Sequence, residues 1–364
     1  MTEAARPPLT GTVQTVLGPV PVADLGRVMH HEHLLSLVPG PWLSGGRPHD
    51  RTPVGGGQPV RDEAWADDQV RHAVAALSGL RALGIGTVVD LSPYGVVGRD
   101  ADGGNVVLLQ RIARESGLHV VAGSSVYLES FSPAWAVRAD LRQMTERYIA
   151  DATTGIGGGP VRAGIFGEQA TSLDAITAHE EKCLRAAARA QRETGLALTT
   201  HTTHGTMALE QLEILRQEGA DLERVVIGHM DTRADFGYVR EVARTGVHLA
   251  FDTVGKQNWD FFVDPGPVDA PDGESLKRAY HQSDVTRARR IAALVAEGFE
   301  DRLLLAQDLT GAEVWMNPQT HGEWGYSYLG SSFSALLLAH GVTEAQIDKM
   351  VRDNPARMLV SGAV

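Results

Sequence analysis

Residues 26–35 read Gly-Arg-Val-Met-His-His-Glu-His-Leu-Leu. A short apolar run of this kind, followed by a Gly- and Pro-rich stretch, reads as a buried strand. Seven more runs rich in Val, Ile and Leu follow it. They are Thr87–Leu91, Leu118–Ser124, Ala163–Glu168, Leu196–Thr202, Arg224–Met230, His248–Asp252 and Arg302–Asp308. Helix-period segments lie between most of them, among them Asp68–Leu83, Leu173–Thr194 and Thr206–Glu218. Strands alternating with helices build a parallel sheet covered by helices, and eight such units predict a (β/α)₈ TIM barrel. Residues 1–25 are expected to form a short N-terminal β-ribbon, and residues 26–364 a single barrel domain. Three loops stand out: Pro39–Gln58, Thr253–Asp284 with Trp259, Phe261 and Phe262, and Thr310–Leu329 with Trp315, Trp324, Tyr326 and Tyr328. Loops this long in a compact domain are commonly functional.

The chain has 364 residues, 43% of them apolar and 21% charged, a globular composition that excludes a wholly disordered chain or a coiled coil. A formal charge of −12 argues against a nucleic-acid partner, which requires a basic stripe. No apolar run approaches the roughly 18 residues of a membrane span. The first twenty residues lack the basic start and apolar core of a secretory signal, so the cytoplasm is the expected compartment. The single cysteine, Cys183, excludes intramolecular disulfides and a cysteine-rich zinc site. A small molecule is the expected partner.

The chemistry gathers at the ends of the runs. Residues i and i+2 of a strand share a face, so His31 and His33 project together, suited to one metal ion, while His30 faces away. Two satisfied histidines in a turn would give the same pair. Other runs close on Glu168, His201, His229 and Asp308. A lone strand-end histidine is more often structural. Several such groups together are hard to explain as packing, because buried imidazoles and carboxylates need partners. Four His, one Glu and one Asp suit Zn²⁺, with Mn²⁺, Co²⁺ and Fe²⁺ as alternatives. Six ligands exceed what one zinc with an open position uses and fit two divalent ions. Weaker candidates are Asp231 as an orienting carboxylate, Lys256 and Arg233 as anion anchors, and Arg99 with Asp100 as a structural ion pair.

These residues resemble the phosphotriesterase family of the amidohydrolase superfamily. The likeness begins at Thr15-Val16-Leu17-Gly18-Pro19-Val20 and continues through Met29–Leu34, Val89–Ser92 with Gly98-Arg99-Asp100, and Ala122-Gly123-Ser124 with Tyr127. It extends through Thr200-His201-Thr202 and Ile227–Asp231 to Asp353-Asn354-Pro355-Ala356-Arg357. The resemblance implies that His31, His33 and Asp308 hold the more buried metal and His201 and His229 the more exposed one. It implies that Asp308 also accepts a proton from a bridging hydroxide's parent water. Tyr127 would face the leaving group or polarised oxygen, or be a packed residue of the mouth.

The best-known members carry a carboxylated lysine at the end of the fourth strand. Here the segment reads Ala163-Gly164-Ile165-Phe166-Gly167-Glu168-Gln169, and none of the four lysines (Lys182, Lys256, Lys277, Lys349) ends a run. The sequence is more similar to a branch with a glutamate bridge, that of the phosphotriesterase homology and phosphotriesterase-related proteins. Glu168 is the candidate bridge, with a helix-capping role as its structural alternative. The implied activity is hydrolysis of a lactone, carboxylic ester or amide by a hydroxide shared between two metals. Phosphotriester hydrolysis and a non-catalytic small-molecule-binding barrel are the alternatives, and a homodimer is the implied assembly.

Overall fold

The computed structural model describes residues 9–36, 62–256, 261–262, 280–311, 314 and 325–361. The chain opens with an antiparallel ribbon, β1 (Thr12–Thr15) and β2 (Gly18–Pro21), then enters the barrel at β3 (Arg27–Glu32). Helix α1 (Glu63–Ala76) leads to β4 (Ile85–Asp90), α2 (Leu108–Ser116) to β5 (His119–Ser124), and α3 (Ala134–Arg138) with α4 (Leu141–Thr153) to β6 (Ile165–Thr171). Then come α5 (Ala178–Thr194), β7 (Leu198–Thr202), α6 (Ala208–Gln217), β8 (Val225–Ile227), α7 (Phe236–Arg244) and β9 (His248–Phe251). A short pair, β10 (Phe261–Phe262) and β11 (Tyr280–His281), precedes α8 (Asp284–Ala296) and β12 (Leu303–Leu305). Helices α9 (Ser334–Ala339), α10 (Glu344–Asp348) and α11 (Asn354–Leu359) end the described chain.

Eight strands lie side by side in the order β3-β4-β5-β6-β7-β8-β9-β12, all parallel, so each of the eight runs supplies one barrel strand. Closure between β12 and β3 is made by the residues just past β12. The Asp308 amide donates to the His31 carbonyl at 3.0 Å, and the His33 amide to the Leu309 carbonyl at 2.9 Å. The helix limits move where caps decide them. The expected Asp68–Leu83 helix starts at Glu63, because the Asp62 carboxylate accepts from the Trp65 amide. It stops at Ala76, since Gly79 turns left-handed and Leu80–Leu83 forms a separate 3₁₀ turn. The expected Leu173–Thr194 helix starts later, at Ala178, under a capping box of Thr177 and Glu180.

The barrel is filled rather than hollow. Val28, Val89, Val121, Ile165, Ala197, Val226, Ala250 and Leu304, one from each strand or its edge, form a single apolar cluster inside it. Val13, Val22 and Leu25 of the ribbon region and Ala356, Met358 and Leu359 of α11 join the same cluster and stopper the amino end of the barrel. Arg224 fastens that stopper by donating to the carbonyls of Met358 and Val360. A plugged lower end leaves the carboxyl ends of the strands as the place for chemistry. The loop Pro39–Gln58, Trp259, Trp315 and Trp324 lie outside the described residues, so the readings placed on them stand as expectations.

Candidate metal centre

Five barrel strands deliver the six expected ligand residues to one point. His31 and His33 come from β3 and the residue beyond it, Glu168 from β6 and His201 from β7. His229 and Asp308 follow β8 and β12. The ladder is irregular where two of them arise. Register shifts fall between Met29 and Glu32 and between Phe166 and Gln169, and bulges of this kind re-aim side chains. Glycine is required beside two of the groups. A Cβ on Gly167 would stand 2.1 Å from Thr199 Cγ2, and one on Gly228 would stand 2.1 Å from the Thr200 carbonyl oxygen. Only a residue without a side chain lets Glu168 and His229 come this close to their neighbouring strand.

Each of the four imidazoles has one nitrogen tied outward and the other aimed inward. His31 Nδ1 lies 2.8 Å from Asp252 Oδ2, and His229 Nδ1 lies 2.9 Å from Asp252 Oδ1. His33 Nδ1 meets Ser92 Oγ at 3.1 Å, and His201 Nε2 meets Thr203 Oγ1 at 3.2 Å. The inward nitrogens surround two carboxylates. His33 Nε2 is 3.0 Å and His31 Nε2 3.4 Å from Asp308 Oδ1. His201 Nδ1 and His229 Nε2 lie 2.9 and 3.2 Å from Glu168 Oε2, while Glu168 Oε1 lies 3.7 Å from His33 Nε2.

Two overlapping groups could therefore hold metal ions: His31, His33, Glu168 and Asp308, and Glu168, His201 and His229. Glu168 belongs to both. A third grouping, His31, His229 and Asp252, sits on the outward side, where the short contacts are hydrogen bonds orienting the two rings. The donor set fits divalent cations, and one orphan atom supports the fit: His31 Nε2 is buried without a hydrogen-bond partner and faces Glu168 and Asp308.

The electrostatics agree. Burial disfavours a charged His31, yet Glu168 and Asp252 push its pKa up to about 10. Burial opposes ionisation of Glu168 too, but His31 and His201 hold its carboxyl well below the usual range. Asp308 is likewise lowered against its burial, first by Lys256 and then by His33. Buried carboxylates that draw protons onto imidazoles make a place where cations are favoured. His30 faces away, as its position in the strand predicts. Burial takes it down to about 4, and its Nδ1 lies 3.4 Å from the Leu305 carbonyl.

Tyr127 stands at the wall of the site, buried, its hydroxyl 3.3 Å from His201 Nε2. Burial, then Glu168 and Asp308, pushes its hydroxyl well above the usual range, so it remains a donor. Lys256 donates to Asp308 Oδ2 at 2.7 Å, inside the cluster rather than out in solvent. Two pairings differ from expectation. The carboxylate that orients imidazoles is Asp252, not Asp231. Asp231 instead takes the Arg287 guanidinium at 2.7 Å and the Thr253 hydroxyl. The ion-pair partner of Arg99 is Asp90, at 3.1 Å, while Asp100 binds the Asn105 amide. Arg233 lays its guanidinium over the Tyr238 ring. Asp252 was legible only as the last residue of an apolar run. A carboxylate ending such a run was the one available signal.

Fold and site together define a (β/α)₈ barrel with a cluster of residues able to hold a metal ion at the carboxyl ends of its strands. The sequence pattern of the phosphotriesterase family matches residues 11–359, and the chain belongs to that family. It is a hydrolase of that family. It is 30% identical over 366 residues to the N-acetyltaurine hydrolase of Salmo salar, covering 96% of this chain and 98% of the relative. Among solved structures, a variant of the organophosphorus hydrolase of Deinococcus radiodurans is 31% identical with a TM-score of 0.75, over 97% of this chain and all of the other. A resiniferatoxin-binding protein from Rhodobacter sphaeroides is 30% identical with a TM-score of 0.78, over 97% of each chain.

Proposed function

We propose that this chain is a binuclear metal hydrolase acting on a carbonyl bond of a small molecule, a lactone, carboxylic ester or amide. The observation that carries the reading is Glu168, whose carboxylate stands among all four imidazoles: Oε2 lies 2.9, 3.2 and 3.7 Å from His201, His229 and His31, and Oε1 3.7 Å from His33. In this reading His31, His33, Glu168 and Asp308 would hold one cation, and His201 and His229 with Glu168 the other. When bound, two divalent ions, Zn²⁺ first among those the donors suit, make hydroxide available near neutral pH and polarise the scissile carbonyl. Asp308 takes up the proton released as the nucleophile adds and passes it to the leaving group. Asp252 holds His31 and His229 in the tautomer that keeps their Nε2 lone pairs inward. The Tyr127 hydroxyl donates toward the substrate's oxygen from the His201 side.

Likeness to a hydrolase of N-acetyltaurine, an amide, supports a carbonyl substrate. Likeness to an organophosphorus hydrolase supports phosphotriester cleavage as the second reading. The test is a panel on metal-loaded protein: aryl esters, γ-lactones, N-acetyl amides and a dialkyl aryl phosphate. Expected is a kcat/KM on one carbonyl class at least about tenfold above that on the phosphate, a barrier difference of about 1.4 kcal/mol. The opposite order establishes the phosphotriester reading. No turnover of any substrate with two metals bound makes the barrel a binding protein.

A further inference from the structure

We propose that Glu32, the residue between the two histidines of the first strand, is the positioning residue for Asp308. The inference rests on the reading of Asp308 as a cation ligand. Glu32 is fully buried, yet its carboxylate does not face the metal cluster. It reaches across the seam of the barrel. Oε1 accepts from the Gln307 amide and Oε2 from the Leu309 amide, both at 2.9 Å. The amide between them, that of Asp308, donates to the His31 carbonyl at 3.0 Å. Three successive amides past β12 are therefore held by two successive residues of β3.

The clamp is needed because Asp308 has a left-handed backbone, φ 50°. That conformation costs a non-glycine residue energy, though less for Asp than for most, and bonds to the flanking peptides help to hold it. Gripping the peptides on either side of Asp308 fixes the direction of its side chain. The same carboxylate fills a structural gap. Where β12 and β3 meet, a side chain supplies acceptors to two buried amides that an ordinary ladder would pair with carbonyls. A carboxyl group suits this task because each of its two oxygens presents a lone pair to one amide N–H. A glutamine of the same size turns one acceptor into a donor and sets it against an amide N–H.

The test is a Co²⁺ titration followed by visible absorption, in a His201→Ala background that isolates the Asp308 half of the site. With the fold verified by circular dichroism, Glu32→Gln is expected to weaken Co²⁺ binding there by about 10–100-fold, as loss of a ligand's supporting partner does. In the otherwise wild-type chain, the His201/His229 ion is expected to keep its affinity. Glu32→Asp keeps both acceptors on a shorter stem and is expected to recover part of the loss. If Glu32→Gln does not fold, Glu32→Asp decides, since unchanged affinity on the Asp308 side overturns the inference. Wild-type affinity in folded Glu32→Gln overturns it too. Asp308→Asn in the same background separates the two claims. If it binds Co²⁺ normally, the reading of Asp308 as a ligand fails. If it loses Co²⁺ while Glu32→Gln does not, only the positioning inference fails.

Discussion

Glu168 carries its carboxylate from synthesis, whereas a carboxylated lysine forms only by reaction with CO₂. No described lysine can stand in for it. Lys182 donates to the carbonyls of Ala136 and Ala139, Lys349 pairs with Asp301, and Lys256 holds Asp308. Metal reconstitution of the apo-protein is therefore expected to be as fast and complete in CO₂-depleted buffer as with bicarbonate. Glu168→Gln removes the negative charge facing four imidazoles and is expected to lower the affinity for at least one ion by about tenfold or more. Metal analysis after dialysis reads both. A bicarbonate requirement, or Glu168→Gln with two tightly held ions, would place the bridge on another residue. Glu168 was legible because it ends an apolar run where the family's pattern has a bridging group. Its supporting neighbours were not, because hydrogen-bond partners are set by direction in space.

At the scale of the element, β6 is the decisive strand. Its ladder with β7 is regular at Phe166 and resumes at Gln169, and the irregular step between them holds Gly167 and Glu168. Gly167 has φ 156° and no room for a Cβ against Thr199. Gly167→Ala is expected to destabilise the fold by about 1–3 kcal/mol through steric strain. Because the strain falls beside Glu168, metal content should drop with stability. Urea denaturation paired with metal analysis measures both, and a Gly167→Ala protein of wild-type stability would mean that β6 and β7 yield at no cost. The element pattern itself was readable, since barrel strands buried on both faces require continuous apolar runs. Their bulges were not, because a one-residue irregularity leaves composition unchanged.

Across the whole molecule, the site would act as a cross-link when loaded with metal. Its six candidate ligands come from β3, β6, β7, β8 and β12 or the residues after them, so bound ions would tie together strands from both sides of the barrel seam. An ion that binds only the folded chain adds about 4 kcal/mol of stability at a thousandfold excess over its Kd. Chelation is expected to lower Tm by at least about 5 °C, with recovery when Zn²⁺, Mn²⁺ or Co²⁺ is returned. Scanning calorimetry with and without chelator checks this, and an unchanged Tm after verified metal removal would show that the bound ions do not tie the strands together. Among the described residues, no helix is long and apolar enough to cross a membrane.

The sequence alone determined the eight strands and the residues at their ends. Burial on both faces demands apolar runs, and a period of two puts His31 and His33 on one face. It also showed that no lysine ends any of the eight runs. Tertiary structure decided which carboxylate orients which ring. Asp231 lies two residues after His229, but His229 has a left-handed backbone, φ 57°, and the chain carries Asp231 away to Arg287. Asp252 lies 23 residues beyond His229 in sequence and 2.9 Å from its ring in space. The seam decided the role of Glu32 in the same way, because β3 and β12 become neighbours only when the barrel closes. Periodicity along one strand is local, whereas contact between strand ends depends on the twist and register of the whole sheet.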